Sequence, residues 1–251
     1  MKYLIKTSAT LGLLAIILTV SSSFKSGMEW EQVSNEAVAK ELLQINKEIQ
    51  KHKSYKFSIC YKSFKGHFDP KVYDQQTGKV VRSEDQLYSN ANGALTIQNK
   101  EMRVTVDSAR KAIKVANPLK GIEPHFDIDE YIKTLDVCKV VKRKEENGTI
   151  AFRFELKTSK EIVVQEIFFK NNFLSKTIIY YAREHTVREN NTTKTQMVYP
   201  RLEIDINDFE ALSVVNKEIF RTDKIVTLSN SILTVNEKYK NFKLFDGRYK
   251  K

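Results

Sequence analysis

The sequence contains little glycine, proline or cysteine: its 251 residues include eight Gly, four Pro and two Cys. So few glycines, none of them clustered, exclude a glycine-rich phosphate-binding loop. The sequence also lacks a G-x-S-x-G nucleophile elbow, the H-E-x-x-H spacing of zinc proteases and the C-x-x-C spacing of redox and zinc sites. By elimination, we expect a protein that is not an enzyme, with no catalytic residues, no bound metal and no other cofactor.

The first 23 residues have the pattern of a secretory signal peptide. Lys2 and Lys6 precede an apolar run over 11–20, and three serines follow it. The run has about half the length needed to span a bilayer, and no cysteine near the expected cleavage site could carry a lipid anchor. An uncleaved anchor is the alternative. We expect residues 1–23 to be removed and residues 24–251 to reach the periplasm of a Gram-negative bacterium.

The mature chain is basic. The formal net charge of +11 falls to +9 when Lys2 and Lys6 are removed with the signal peptide. This balance favours anionic partners such as lipid headgroups, whereas an exported chain has little access to nucleic acid, so we expect no nucleic-acid partner. Cys60 and Cys138 are an even count in an oxidising compartment, which permits one disulfide, but two free thiols fit equally well.

One helix and a long series of strands are predicted. Ser34 precedes a stripe of apolar residues with helical spacing, formed by Val38, Leu42, Ile45 and Ile49. The period then changes to two along 54–64, as in a half-buried strand. Turn signals at Thr77-Gly78, Asn147-Gly148 and Asn171-Asn172 predict hairpins, and a short helix is expected over 127–137.

These elements predict an α+β fold. A curled antiparallel sheet, an incomplete β-barrel, would be partly closed by the N-terminal helix and the short inserted helix. Residues 24–251 would form a single domain, with 207–251 as edge strands or an appendage, because no internal repeat or interdomain linker is present.

An antiparallel sheet with one apolar face must cover that face or use it. Two helices are too few to cover about ten strands, so we expect an apolar concave face that binds a ligand. The candidate ligand-binding residues are Tyr55, Phe57, Ile59, Tyr61, Phe152, Phe154 and Tyr180. The alternative is that these residues simply form the core.

Three features of the sequence resemble a known superfamily. These are the stretch 93–107 followed by Lys111–Val115, the ending over 239–246, and the order of export signal, helix, strand, hairpin and meander. Together they resemble uncharacterised periplasmic proteins of the LolA/LolB-like outer-membrane lipoprotein carrier superfamily. The resemblance implies an incomplete β-barrel closed by helices, with an apolar cavity for lipoprotein acyl chains. Arg82, Arg103 and Arg153 are all candidates for the arginine in the carriers' cavity.

The leading hypothesis is therefore a periplasmic, non-enzymatic lipid- or lipoprotein-binding or carrier protein of the cell envelope. Acyl chains would lie on the apolar concave sheet face, basic residues would meet anionic headgroups, and contact with a membrane surface would be transient. Its partners would be a lipid or an acylated protein. The alternative is an envelope protein–protein interaction protein, a scaffold or accessory protein with a filled core and no ligand.

Overall fold

The computed structural model describes residues 29–91, 93–119, 128–157, 161–188 and 195–248. The predicted signal peptide, residues 1–23, lies outside the described residues, as does Asp127 at the start of the predicted inserted helix. Within the described ranges, no helix has both the length and the apolar character needed to cross a membrane.

Strands dominate the described part of the chain. Its helices are α1 (Asn35–Gln50) and α2 (Ile128–Leu135), with 3₁₀ turns at Lys217–Phe220 and Glu237–Tyr239. The strands are β1 (Glu31–Gln32), β2 (Ser54–Phe64), β3 (Val72–Ser83), β4 (Gln86–Ala91), β5 (Ala94–Gln98), β6 (Arg103–Asp107), β7 (Ala112–Ala116), β8 (Cys138–Glu146), β9 (Thr149–Leu156), β10 (Ile162–Lys170), β11 (Phe173–Tyr181), β12 (His185–Arg188), β13 (Thr195–Val198), β14 (Arg201–Ala211), β15 (Val226–Ser229), β16 (Ile232–Val235) and β17 (Lys243–Asp246).

Thirteen strands form one sheet in the order β1-β8-β9-β10-β11-β14-β2-β3-β4-β5-β6-β7-β17. Neighbouring strands are antiparallel except β17, which pairs in parallel with β7. Hairpins β12–β13 and β15–β16 lie outside this sheet. The α+β class and the curled sheet are confirmed. The sheet is open, with β1 and β17 as its edges in the described residues, and closure by the helices stays a prediction.

The α1 stripe predicted from the sequence is buried. Ser34 Oγ accepts a hydrogen bond from the Ala37 amide (3.2 Å), which caps the first turn. The four apolar residues of the stripe pack on one face of the sheet, here called the helix face, and α2 packs beside them. The strand residues in this core are Cys138, Val141, Phe152, Phe154, Ile167, Phe169 and Leu174.

On β5–β7 the buried side of the sheet changes to the other surface, here called the opposite face, and β4 has apolar side chains on both faces. Side chains alternate along a strand, so Leu87 lies on the helix face and Tyr88 on the opposite face. The C-terminal segment 220–242 packs on the opposite face against Ile97, Met102, Val104, Val106, Ile113 and Val115. The boundary predicted at residue 207 falls within β14, a strand in the interior of the sheet.

Two of the three predicted hairpin turns are present. Asn147 and Gly148 both have positive φ (49° and 73°), as do Asn171 and Asn172 (52° and 64°). The turn predicted at Thr77-Gly78 is wrong, because β3 runs straight through it. Gly78 instead allows a close approach between strands: a Cβ atom there would lie 2.5 Å from the Cβ of Ala91.

Cys60 and Cys138 are both free thiols. Cys60 lies on the opposite face of β2, whereas Cys138 is buried on the helix face at the start of β8. Five strand-to-strand steps separate β8 from β2 in the sheet order, about 24 Å along the sheet at about 4.8 Å per step. A disulfide needs Cα atoms within about 7 Å, so these two residues do not form one within the chain.

Candidate functional site

Six of the seven candidate ligand-binding residues lie on the helix face. Tyr55, Phe57, Ile59 and Tyr61 point to this face from alternate positions of β2. Residues paired across neighbouring strands lie on the same face of a sheet. Ile59 pairs with Ile206 on β14, and a row of paired residues runs from Tyr61 through Ile204, Thr177 and Ile167 to Phe152. The strand register therefore places the β2 and β9 candidates on one surface of the sheet.

Tyr180 does not share this surface. It follows Ile179, which lies on the helix face, so its side chain is on the opposite face. There its ring lies 5.9 Å from the Arg153 guanidinium and 5.4 Å from the His67 ring. Burial and the nearby Glu166 carboxylate raise the pKa of its hydroxyl. Tyr180 is thus separated from the other six candidates by the thickness of the sheet.

The apolar helix face has two parts. Phe152 and Phe154, both 0% exposed, lie beneath the helices in the first part. The second part is here called the strand-only cluster, because its described members all come from strands: Tyr55, Phe57, Ile59, Val80, Leu87 and Ala91, bordered by Tyr61, Ile204, Ile206 and Phe209. Ile206 packs against both parts, so the apolar surface is continuous.

Aromatic side chains join the end of α1 to the strand-only cluster. The Phe173 and Phe209 rings stack with centroids 3.7 Å apart, and the Tyr55 ring lies 5.5 Å from that of Phe209. His52, which follows α1, lies 5.2 Å from the Phe173 ring. Sequence reasoning missed Phe209 because it lies within an irregularity of β14, between Asn207 and Glu210, where the strict alternation of side chains is interrupted. Its only sequence signal was its apolar character within a polar segment.

Uncharged polar groups lie at the centre of the helix face. The Tyr131 hydroxyl on α2 accepts a hydrogen bond from Gln165 Nε2 (3.3 Å) and is bonded to the buried Thr177 side chain. Burial raises the pKa of Tyr131 to about 12. The group therefore stays neutral at physiological pH and is compatible with apolar surroundings.

The three candidate arginines lie in different places. Arg82 borders the strand-only cluster, with Nη1 donating to the Tyr55 hydroxyl (3.4 Å) and its guanidinium 5.8 Å from the Tyr55 ring. Arg103 is on β6, where it pairs with Gln98 of β5. Arg153 is on the opposite face, where it forms ion pairs with Glu155 and Glu166. Of the three, only Arg82 contacts a predicted ligand-binding residue on the helix face.

Ion pairs lie on the opposite face of β2, β8, β9, β11 and β14. Lys142 pairs with Glu155 (3.1 Å), Lys176 with Glu203 (2.5 Å) and Lys62 with Asp205 (2.7 Å). The charges of these three lysines are thus neutralised locally. In the described ranges, no three His, Cys, Asp or Glu side chains come together in a way that could hold a metal ion.

The fold and this surface define an α+β protein with an open, curled sheet and a continuous apolar face. The sequence matches no protein-family model and no curated protein. Among solved structures, a DUF1329 family protein from Desulfovibrio piger is 9% identical over 76% of this chain and 99% of its own, with a TM-score of 0.34. A proposed outer membrane lipoprotein-sorting protein domain from Vibrio parahaemolyticus is 9% identical over 74% and 98%, with a TM-score of 0.31.

Both neighbours have low sequence identities and low TM-scores. At such TM-scores the likeness carries no argument about function, which rests here on the residues of this chain.

Proposed function

We propose that this protein is a non-enzymatic lipid- or lipoprotein-binding protein of the cell envelope, of the carrier type, which holds acyl chains on the helix face. One observation carries the proposal: the apolar surface continues beyond the two helices into the strand-only cluster. The chain would contact the candidate residues that share this face: Tyr55, Phe57, Ile59, Tyr61, Phe152 and Phe154. The resemblance of the sequence to the carrier superfamily agrees with this function.

Ligand entry requires the helix face to open, because its side chains are buried without a ligand. α1 is the cover that would move. It is fastened by a bidentate pair between Arg143 and Glu41 (both 2.9 Å) and by a hydrogen bond from Asn35 Nδ2 to the Leu135 carbonyl (2.8 Å). Burial of about a dozen methylenes of an acyl chain contributes about 10 kcal/mol to the free energy of binding. This gain would offset the cost of separating α1 from the sheet.

The setting of this function is the periplasm, after removal of residues 1–23. Lipid or an acylated protein would be the cargo, and contact with a membrane surface would be transient. Exposed lysines would meet the anionic headgroups during that contact.

The test is native mass spectrometry of the protein purified from the periplasm, followed by organic extraction. We expect a discrete co-purifying lipid or acyl mass. Phe57→Ala removes a ring from the strand-only cluster and should lower the bound fraction at least tenfold. Phe68→Ala is the matched control, because Phe68 is 92% exposed and lies outside the helix face. Circular dichroism and Tm of both variants establish that they are folded.

A second function is favoured by the complete burial of Phe152 and Phe154 beneath α1. A filled core suits an envelope interaction protein that holds a protein partner through its sheet edges and carries no ligand. In that case the mass spectrum shows only the bare protein, even after incubation with anionic vesicles. This result would refute the carrier function, whereas equal lipid in wild type and Phe57→Ala would refute only the assignment to the helix face.

A further inference from the structure

A cavity lies on the opposite face, away from the helix face. It is half-open to solvent, has a volume of about 480 Å³ and lies between strands β3–β5 and the C-terminal segment. Val81, Leu95 and Ile97 form its apolar floor, and Ile225 and Tyr239 form its far wall. The volume is within the range of small-molecule sites, about 300–1,000 Å³.

The floor exists because β3 is apolar on both faces. Val80 belongs to the strand-only cluster on the helix face, whereas the adjacent Val81 is buried on the opposite face. Ile97 continues this second apolar surface across β5. The helix face and the cavity are therefore built from separate sets of side chains on the two sides of the same strands.

The far wall is held in place by the fold. Asn99 Nδ2 donates to Thr222 Oγ1 (3.1 Å), and the Asn236 amide donates to the Ile225 carbonyl (2.9 Å). Ile225 is nearly fully buried against the sheet. Because these contacts connect the segment both to the sheet and to itself, the cavity is formed before any ligand arrives, which lowers the ordering cost of binding.

The rim of the cavity is basic. Lys79, Lys224 and Lys238 line it, and Glu218 is the only acid among the described residues that do so. Lys224 Nζ donates to the Glu218 carbonyl (3.2 Å) and lies 4.0 Å from its carboxylate. Lys238 Nζ lies 5.5 Å from the Tyr239 ring, and neither Lys238 nor Lys79 has an acidic partner among the described residues. These two lysines, next to an apolar floor, are therefore available to bind an anionic group.

We infer that this cavity is a second binding site, which takes a single-chain amphiphile with a carboxylate headgroup, a long-chain fatty acid. The chain lies against Leu95 and Ile97, and the carboxylate lies between Lys79 and Lys238. The ammonium groups act as point charges, which suit a monoanion without demanding bidentate geometry. A volume in the lower half of the usual range favours one chain over two.

The experiment measures palmitate binding to the purified, delipidated protein by calorimetry, with hexadecanol as the uncharged analogue. The double variant Lys79→Gln/Lys238→Gln should weaken palmitate binding about tenfold or more and leave hexadecanol binding within about twofold. Lys100→Gln/Lys114→Gln removes two exposed lysines elsewhere and should change neither. Leu95→Trp fills the cavity and should abolish binding of both compounds, with Tm confirming the fold.

The outcomes separate this site from the helix face. Phe57→Ala should lower the amount of co-purifying envelope lipid, whereas the lysine double variant should leave that amount unchanged. Undetectable palmitate binding, or equal affinity in wild type and Leu95→Trp, would overturn the assignment. Equal loss in both lysine double variants would show that net charge alone attracts the fatty acid. Equal competition by a two-chain phosphatidylglycerol would overturn the single-chain class.

Discussion

Alkaline pH should destabilise this protein through one buried hydroxyl, that of Tyr131. The ring lies between α2 and the sheet, 6.2 Å from that of Phe154, and the hydroxyl is bonded to Gln165 and Thr177. Burial disfavours the phenolate and raises its pKa to about 12 from an ordinary 10.0.

The sign follows from which state loses the proton first. In the unfolded chain Tyr131 ionises near pH 10, whereas in the folded protein it stays protonated to about pH 12. The contribution of Tyr131 to stability is therefore constant below pH 10 and is lost as the pH rises from 10 to 12. The slope is about 1.4 kcal/mol per pH unit, which gives a total of about 3 kcal/mol.

The assay compares wild type with Tyr131→Phe in urea unfolding at pH 8, 10, 11 and 12. The variant keeps the buried ring but has no group to ionise. We expect it to be less stable by about 1 kcal/mol at pH 8, where it lacks the hydrogen bonds, and more stable than wild type near pH 12. Tyr73→Phe, at an exposed position, controls for other titrating groups. Parallel stability curves for wild type and Tyr131→Phe would refute the burial of this hydroxyl.

Three further predictions concern single side chains. Burial raises the pKa of the Cys138 thiol to about 11 from 9.0, so at pH 8 its thiolate fraction is about a hundredfold below that of an ordinary thiol. Iodoacetamide labelling followed by peptide mass mapping should therefore find Cys138 unmodified in the folded protein and modified in urea. Gly78→Ala should lower the free energy of unfolding in urea by about 1–3 kcal/mol, because a Cβ atom has no space there. Gly66→Ala, where a Cβ would have no neighbour closer than 3.5 Å, should stay within about 0.5 kcal/mol of the wild-type free energy of unfolding. Glu41→Gln weakens the pair with Arg143 and should cost about 1 kcal/mol, less in 1 M salt; an unchanged unfolding midpoint would mean that this pair does not fasten α1.

Local periodicity predicted the elements that depend on it. The stripe Val38–Ile49 and the alternation along 54–64 each reflect burial of one side of one element, so both are readable from adjacent residues. The Asn-Gly and Asn-Asn turns are local as well, since they need only two residues that tolerate positive φ. Gly78 shows the limit of such signals, because a glycine that permits close strand approach looks the same in sequence as one that makes a turn.

What could not be predicted depends on partners distant in sequence. Val81 and Tyr88 each directly follow an apolar residue of the helix face, because the C-terminal segment lies over the opposite face there. Nothing near them in the sequence indicates the presence of that segment. Tyr180 has the same apolar appearance as Ile179, and only the strand register assigns them to opposite faces. The insertion of β14 between β11 and β2 is likewise a long-range pairing.

That insertion has a consequence for how the chain acquires its structure. The β2–β7 and β8–β11 meanders are each built from neighbours in sequence. In the sheet they are joined through β14, whose Asn207 pairs with Ser58 of β2, 149 positions away. Until residues 201–211 have been synthesised, β2 and β11 each present an unpaired edge. Closure of so large a loop gives a high contact order, so joining of the meanders should set the folding rate. The unpaired edges of β2 and β11 therefore need protection from pairing with other chains until β14 has been added to the sheet.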